Sequence, residues 1–142
     1  MKGEEMAAGN RVQVNVFGCD YTLEASLGAC TVYANQFAGN IREPYIGNLT
    51  EDILRLFVAV EGGEENYRGI DYDVLFGCMW AMGVACDSIT EPWREFHERI
   101  AHEPLTLDDV SGVYGVVVHE LGDGVFFRLP KGFRDDSQSD EE

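Results

Sequence analysis

The sequence predicts an α+β domain, mainly α, in which a small N-terminal β-hairpin is followed by a compact bundle of four to five short helices. Three observations predict it. Residues 12–16 alternate strictly between apolar and polar, apolar residues recur at helical spacing in several segments between residues 26 and 100, and one segment, 72–86, is apolar on every side.

The hairpin is the first element. Val12, Val14 and Val16 share one face of a strand while Gln13, Asn15 and Phe17 share the other. Gly18-Cys19-Asp20 supplies turn chemistry, and Tyr21 to Leu23 then return antiparallel. Ser26 is placed to cap a first helix, with Leu27, Cys30, Tyr33, Ala34 and Phe37 on one side and Gly39 as its stop. After a loop with Pro44 and Gly47, Thr50 is expected to cap a second helix. Glu51 and Asp52 fall in its first turn, where the helix dipole favours negative charge. Ile53, Leu56, Phe57 and Val60 would face inward, and Gly62-Gly63 would end the helix.

From Tyr72 to Cys86, one stripe holds Tyr72, Leu75, Phe76, Met79, Gly83 and Cys86, and the opposite side holds Val74, Cys78, Ala81 and Ala85; Asp73 is the lone charge. A helix apolar all round has to be covered all round, as the central helix of the domain or by pairing with another subunit or partner. In a chain of this size the central position is expected. Gly77 and Gly83 cost helix stability, which points to close approach of a neighbouring backbone. Thr90-Glu91-Pro92 opens a fourth helix with Trp93, Phe96 and Ile100 inward, Arg94, Glu95, Glu98 and Arg99 in water, and Glu95 and Arg99 paired at i,i+4. Thr106, Asp108 and Asp109 mark another helix start, with Val110, Val113, Val117 and Leu121 at helical spacing. Gly112, Gly115 and Val116-Val117-Val118 would suit a strand as well, so residues 110–121 stay open between helix and strand. Residues 1–10 and 134–142 are small and polar, the second strongly acidic; both are expected to be disordered tails flanking a single domain over 11–133.

At 142 residues and 45% hydrophobic content the chain can bury a real core without disulfides or metals. No apolar run reaches the roughly 18 residues of a membrane span, and the start lacks the apolar middle of a signal peptide, so no membrane contact and a cytoplasmic location are expected. The net charge is −16; without Met1 to Met6 and Arg134 to Glu142, which carry −1 and −4, the middle still holds −11. Such a surface repels phosphate backbones, which excludes direct nucleic-acid binding. It leaves either a basic partner or plain solubility as the use of the charge. Cys19, Cys30, Cys78 and Cys86 form no C-x-x-C pair and are read as reduced, buried thiols.

No catalytic, cofactor or metal motif emerges, and no enzyme activity is expected. His97-Glu98 and His102 approach the zinc pattern H-E-x-x-H, but a gap of five turns the histidines about 140° apart on a helix. The pairs Glu64-Glu65, Asp108-Asp109 and Asp135-Asp136 have polar or glycine-rich neighbours and read as solvated faces. Gly122-Asp123-Gly124 lacks the third glycine of a dinucleotide loop and reads as a turn. Helical spacing assigns the aromatic residues Tyr72, Trp80, Trp93 and Phe96 to the core before a ligand pocket. The hairpin, the short helices, the all-apolar segment and the acidity together describe a protein-binding module.

The pattern resembles the tail assembly chaperones of long-tailed bacteriophages and prophages. The resemblance lies in Val12-Gln-Val-Asn-Val-Phe17 with Tyr21-Thr-Leu23, in Tyr33-x-x-x-Phe37-x-Gly39, in Phe76-Gly-Cys-Met-Trp-Ala-Met82 and in Glu91-Pro-Trp-Arg-Glu-Phe96. It implies a virion-assembly factor in the host cytoplasm that stays out of the finished particle. Such a factor binds the tape measure protein, with the tail tube protein and self-association as further contacts. Trp80, Trp93 and Phe96 with nearby Glu91 and Glu95 would form the binding face, several of them serving as core. It also implies a longer second product from a −1 ribosomal slip, for which the codons of Pro130-Lys131-Gly132-Phe133 are permissive. The competing function is an acidic phage or mobile-element inhibitor that mimics DNA. Against it, the carboxylates are scattered and interspersed with Arg42, Arg55, Arg68, Arg94, Arg99 and Arg128.

Overall fold

Phe17 and Gly18, both at positive φ (55° and 76°), form the two-residue turn of the hairpin. It joins β1 (Arg11–Val16) to β2 (Cys19–Glu24) in the register Val16↔Cys19 to Arg11↔Glu24. Two positive φ values match the twist of a tight hairpin. The turn therefore sits one residue earlier than Gly18-Cys19-Asp20, and Cys19 is already in the ladder. Phe17 is bulky for this region of backbone space, and its ring is held against Phe76 at 5.6 Å. The computed structural model describes residues 8–38, 47–62, 67 and 70–127. Gly39, Pro44, Gly63, Glu64, Glu65 and residues 1–7 and 128–142 lie outside them, and with them the acidic tail and Pro130 to Phe133. Ala8–Asn10 form a single 3-10 turn, and Asn10 is tied to Ala25 by two hydrogen bonds of 2.9 and 3.1 Å. The folded region thus begins inside the expected N-terminal tail.

The expected architecture is present: a two-stranded antiparallel hairpin followed by helices. Val14, Val16, Tyr21 and Leu23 face inward, as the alternation requires. Helix α1 (Leu27–Phe37) is capped by Ser26, whose hydroxyl accepts from Ala29 N at 3.2 Å. Leu27 was expected on its inner side and is instead 82% exposed, because the buried stripe of this helix runs through Ala29, Tyr33 and Phe37 and leaves Leu27 on the outer side. Helix α2 (Leu49–Glu61) is capped by Asn48, whose side chain accepts from Glu51 N, and not by Thr50, which already lies in the first turn.

Helix α3 (Tyr72–Ala85) takes the central place. Every residue from 74 to 83 is buried, with α1 and β2 packed on its sides. Its glycines admit side chains and not the backbone contact expected: a Cβ at Gly77 would lie 3.1 Å from Phe37 Cζ, and one at Gly83 2.5 Å from Ile89 Cδ1. Asp87 at φ 64° reverses the chain, with Asp87 N donating to Val84 O and Ser88 N to Gly83 O, the paired bonds of a left-handed helix stop. This reversal drops Ile89 onto Gly83.

Helix α4 (Trp93–Ile100) begins one residue after Pro92, which occupies the cap position with no side-chain bond, so Thr90 does not cap it. Helix α5 (Leu107–Tyr114), capped by Thr106, continues directly into a π-helical segment, Gly115–Phe126. The choice over 110–121 is thus settled as helix, with Val110, Val113, Val117 and Leu121 all buried. Gly122-Asp123-Gly124, expected as a turn, lies within this segment. There Gly122 lets the segment approach Ile53 of α2. Among the described residues every buried side-chain nitrogen and oxygen has a hydrogen-bond partner.

Candidate protein-binding surfaces

The aromatic residues singled out in the sequence do converge, and they converge inward. Trp80 from α3 meets Trp93 from α4 at 5.8 Å between ring centroids, Trp93 meets Phe96 at 6.2 Å, and Phe37 from α1 lies 5.3 Å from Trp93. Trp80 and Phe96 are buried, and Trp93 is half-buried. Trp80 Nε1 donates to the Glu91 carbonyl at 2.9 Å, which satisfies the indole inside the domain. Trp80 and Phe96 are therefore core residues that seat α4 on α3, and of the three only Trp93 reaches the surface.

The two acids behave differently. Glu91 holds Arg99 in a two-point clamp, Nε to Oε2 at 2.8 Å and a terminal nitrogen to Oε1 at 2.7 Å, while Arg99 also donates to the Tyr21 hydroxyl at 3.2 Å. The hydrogen bonds from Arg99 hold the Glu91 carboxyl below the usual carboxylate range. Arg99 turns to Glu91 and not to Glu95, as the i,i+4 spacing had suggested, because the Glu91 pair is two-pronged and steadied by Phe96 beneath the guanidinium at 5.3 Å. Glu95 is exposed on the outer side of α4.

The larger exposed apolar feature is on α2. Leu54, Phe57 and Val58 are 44%, 40% and 61% exposed, and their i, i+3, i+4 spacing makes them one ridge. Phe57, expected in the core, belongs to this ridge. The inner face is filled by Leu49, Asp52, Ile53, Leu56 and Val60, which leaves Phe57 outside. Beside the ridge runs a cleft of about 230 Å³, where Ile53, Leu54 and Phe57 face Val118, His119, Asp123 and Phe127 across the α2–π boundary. A more open depression along α2, lined by Glu51, Leu54, Arg55, Val58 and Ala59, shares Leu54 with it. The π geometry, usually met as a single turn, runs here for twelve residues and builds one wall.

One end of the cleft is pinned by a polar cluster. Glu61 Oε2 accepts from the Tyr114 hydroxyl at 2.7 Å and lies 2.6 Å from His119 Nε2, while the His119 ring meets Phe57 edge-on at 6.3 Å. The Tyr114 hydrogen bond first, then His119, holds the Glu61 carboxyl below its ordinary range. Sequence reading missed this site. The signal was present: α2 carries two apolar stripes, and one face of a helix against a core uses only one.

Elsewhere His97 Nε2 lies 3.0 Å from Asp73 Oδ1 and His102 is exposed. Among the described residues no three His, Cys, Asp or Glu side chains gather as metal ligands would. The four thiols are free; Cys78 is buried, Cys30 and Cys86 are half-buried, and Cys19 is exposed where burial was expected, since the earlier turn leaves it beside the turn, at the tip of the hairpin. Among the described residues no helix is long and apolar enough to cross a membrane. Comparison with protein-family models, with curated proteins and with solved structures finds no match to this chain.

Proposed function

We propose that this protein is a phage or prophage tail assembly chaperone, a non-enzymatic factor of the host cytoplasm that binds the tape measure protein and keeps it soluble while tail tube subunits assemble on it. The observation that carries the reading is an exposed apolar ridge, Leu54, Phe57 and Val58, on a chain of net charge −16. Apolar surface held on a strongly charged, self-repelling body suits a protein that shields another chain's apolar helix and does not itself aggregate. The hairpin, the central apolar helix and the Glu91 to Phe96 segment occupy the order on which the family resemblance rests.

The DNA-mimic reading is weaker. Glu91 and Glu24 are neutralised by Arg99 and Arg11, and the exposed side of α2 carries Leu54, Phe57 and Val58, whereas a mimic needs an unbroken array of carboxylates. The test is co-expression with fragments of the tape measure protein from the same genome. The chaperone should carry at least one otherwise insoluble fragment into the soluble fraction and co-purify with it. Failure with every fragment, together with inhibition of a nuclease or repressor by the purified protein, would transfer the assignment to the mimic.

A further inference from the structure

We propose that the cleft between α2 and the π segment is the docking groove for an amphipathic helix of a partner protein, one whose apolar stripe is flanked by lysine and arginine. The inference rests on the protein-binding reading and gives it a location and a recognition chemistry.

The shape comes from the two walls. Leu54, Phe57 and Val58 form a ridge one helical turn long, and Ile53, Val118 and Phe127 provide an apolar bed beside it. A helix enters such a groove through side chains at i, i+3, i+4 and i+7. Scattered exposed apolar residues such as Leu27 or Leu107 need no explanation, whereas three at adjacent positions beside a cleft do.

The charge selects the occupant. Glu51 lies at the start of α2, Glu61 at its end, Asp123 on the facing wall, and Glu120 is exposed on the same π segment. Against these stand Arg55, whose guanidinium reaches Asp52 at 3.6 Å, and His119 in the cleft wall, whose ring nitrogen lies 2.6 Å from Glu61 Oε2. A visitor that buries the ridge brings its flanks against carboxylates, so basic flanks are favoured and acidic ones rejected. A second copy of this chain fails that criterion, because a two-fold contact would set the same acids against themselves with −16 on each partner. The chain's own end, residues 134–142, is acidic and has no apolar side chain to offer.

The experiment uses the full chain and a fluorescent synthetic helix with leucine at i, i+3, i+4 and i+7 and lysine elsewhere, followed by anisotropy. Wild type should bind it, a peptide of the same composition in scrambled order should bind at least about tenfold more weakly, and Leu54→Asp/Val58→Asp should lose about tenfold or more. Leu107→Asp adds a carboxylate at an equally exposed apolar position elsewhere and should change affinity less than about twofold. Raising salt from about 0.05 M to about 0.5 M should weaken binding. Equal binding of the ordered and scrambled peptides, or an unaffected double variant, overturns the groove, as does concentration-dependent dimerisation abolished by Val58→Asp. Both variants lie on exposed positions, and unchanged circular dichroism confirms that they fold. A tape measure fragment that co-purifies equally with wild type and the double variant removes the groove and leaves the chaperone reading. Peptide binding without any tape measure partner does the reverse.

Discussion

The Tyr33 hydroxyl donates to Asp52 Oδ2 over 2.8 Å inside the protein, tying α1 to the first turn of α2. Gly47 N reaches the same oxygen at 3.3 Å, and Asp52 is only 1% exposed. Burial first, and the Asp52 carboxylate with it, drives Tyr33 ionisation far above its usual range, so the phenol is a fixed donor at any working pH. Tyr33→Phe should cost about 1.5–3 kcal/mol, the range for a hydrogen bond to a charged group. Asp52→Ala should cost more, since it strands the hydroxyl and empties space. Urea unfolding should show a lowered midpoint with an unchanged slope; a Tyr33→Phe midpoint equal to wild type would mean that the bond adds no net stability.

Two glycines should respond in opposite directions to the same substitution. At Gly83 a methyl would lie 2.5 Å from Ile89 Cδ1 and 2.7 Å from Ile89 Cγ1, and Ile89 is buried beneath the chain reversal. Gly83→Ala should destabilise by about 1–3 kcal/mol through overpacking. At Gly112, inside α5, nothing lies within 4 Å of the added methyl. Gly112→Ala should stabilise by about 0.5–1 kcal/mol through backbone entropy. Thermal midpoints of the two variants measured side by side check both signs, and a gain at Gly83 would contradict the packing of Ile89 on α3.

The Glu91–Arg99 clamp predicts part of the acid sensitivity. Because the folded carboxyl titrates below its ordinary value, the unfolded chain binds this proton first, and the pair's stabilisation is fully present above the ordinary carboxylate range. It is lost as pH falls from that range through the lowered folded value. Glu91→Gln should therefore reduce stability near neutrality and flatten the fall on the acid side, with both proteins converging at low pH. Denaturant titrations at pH 7 and at successive acidic steps test this. Parallel curves for the two proteins would show that the pair contributes no pH dependence.

How far the sequence could be read depended on how each residue's surroundings are set. The strand alternation at Val12 to Val16 and the all-apolar segment around Met79 are local patterns, and local pattern decides both. Thr106 and Ser26 were legible as caps for the same reason. Phe57 was not, because α2 has more apolar residues than its inner face can hold, and which stripe turns inward depends on the distant π segment. Arg99 was assigned to Glu95 by spacing within one helix, yet a partner eight residues away, Glu91, offers two oxygens and lies beside an aromatic face. The candidate groove was only half legible: the second apolar stripe of α2 stood in the sequence, but the facing wall ran through residues 110–121, open between helix and strand, and Gly122-Asp123-Gly124, expected as a turn, until tertiary packing chose the π segment.

The thiols give a direct test of the central helix. Cys78 is fully enclosed in α3 and burial pushes its thiol up, so it lacks both access and the thiolate that alkylation needs. Cys30 and Cys86 are half-buried and raised by burial as well, and Cys86 Sγ also donates to the Thr22 carbonyl at 3.2 Å. Cys19 is exposed at the hairpin end. Under native conditions iodoacetamide should modify Cys19 first, Cys30 and Cys86 more slowly, and Cys78 only in denaturant, with intact mass and peptide mapping assigning each step. The outcome at Cys78 also separates the two ways of covering an all-apolar helix. If the isolated, dilute chain keeps Cys78 protected, α1 and β2 suffice to cover α3, whereas modification as fast as at Cys19 would mean that this helix is closed only by a second chain.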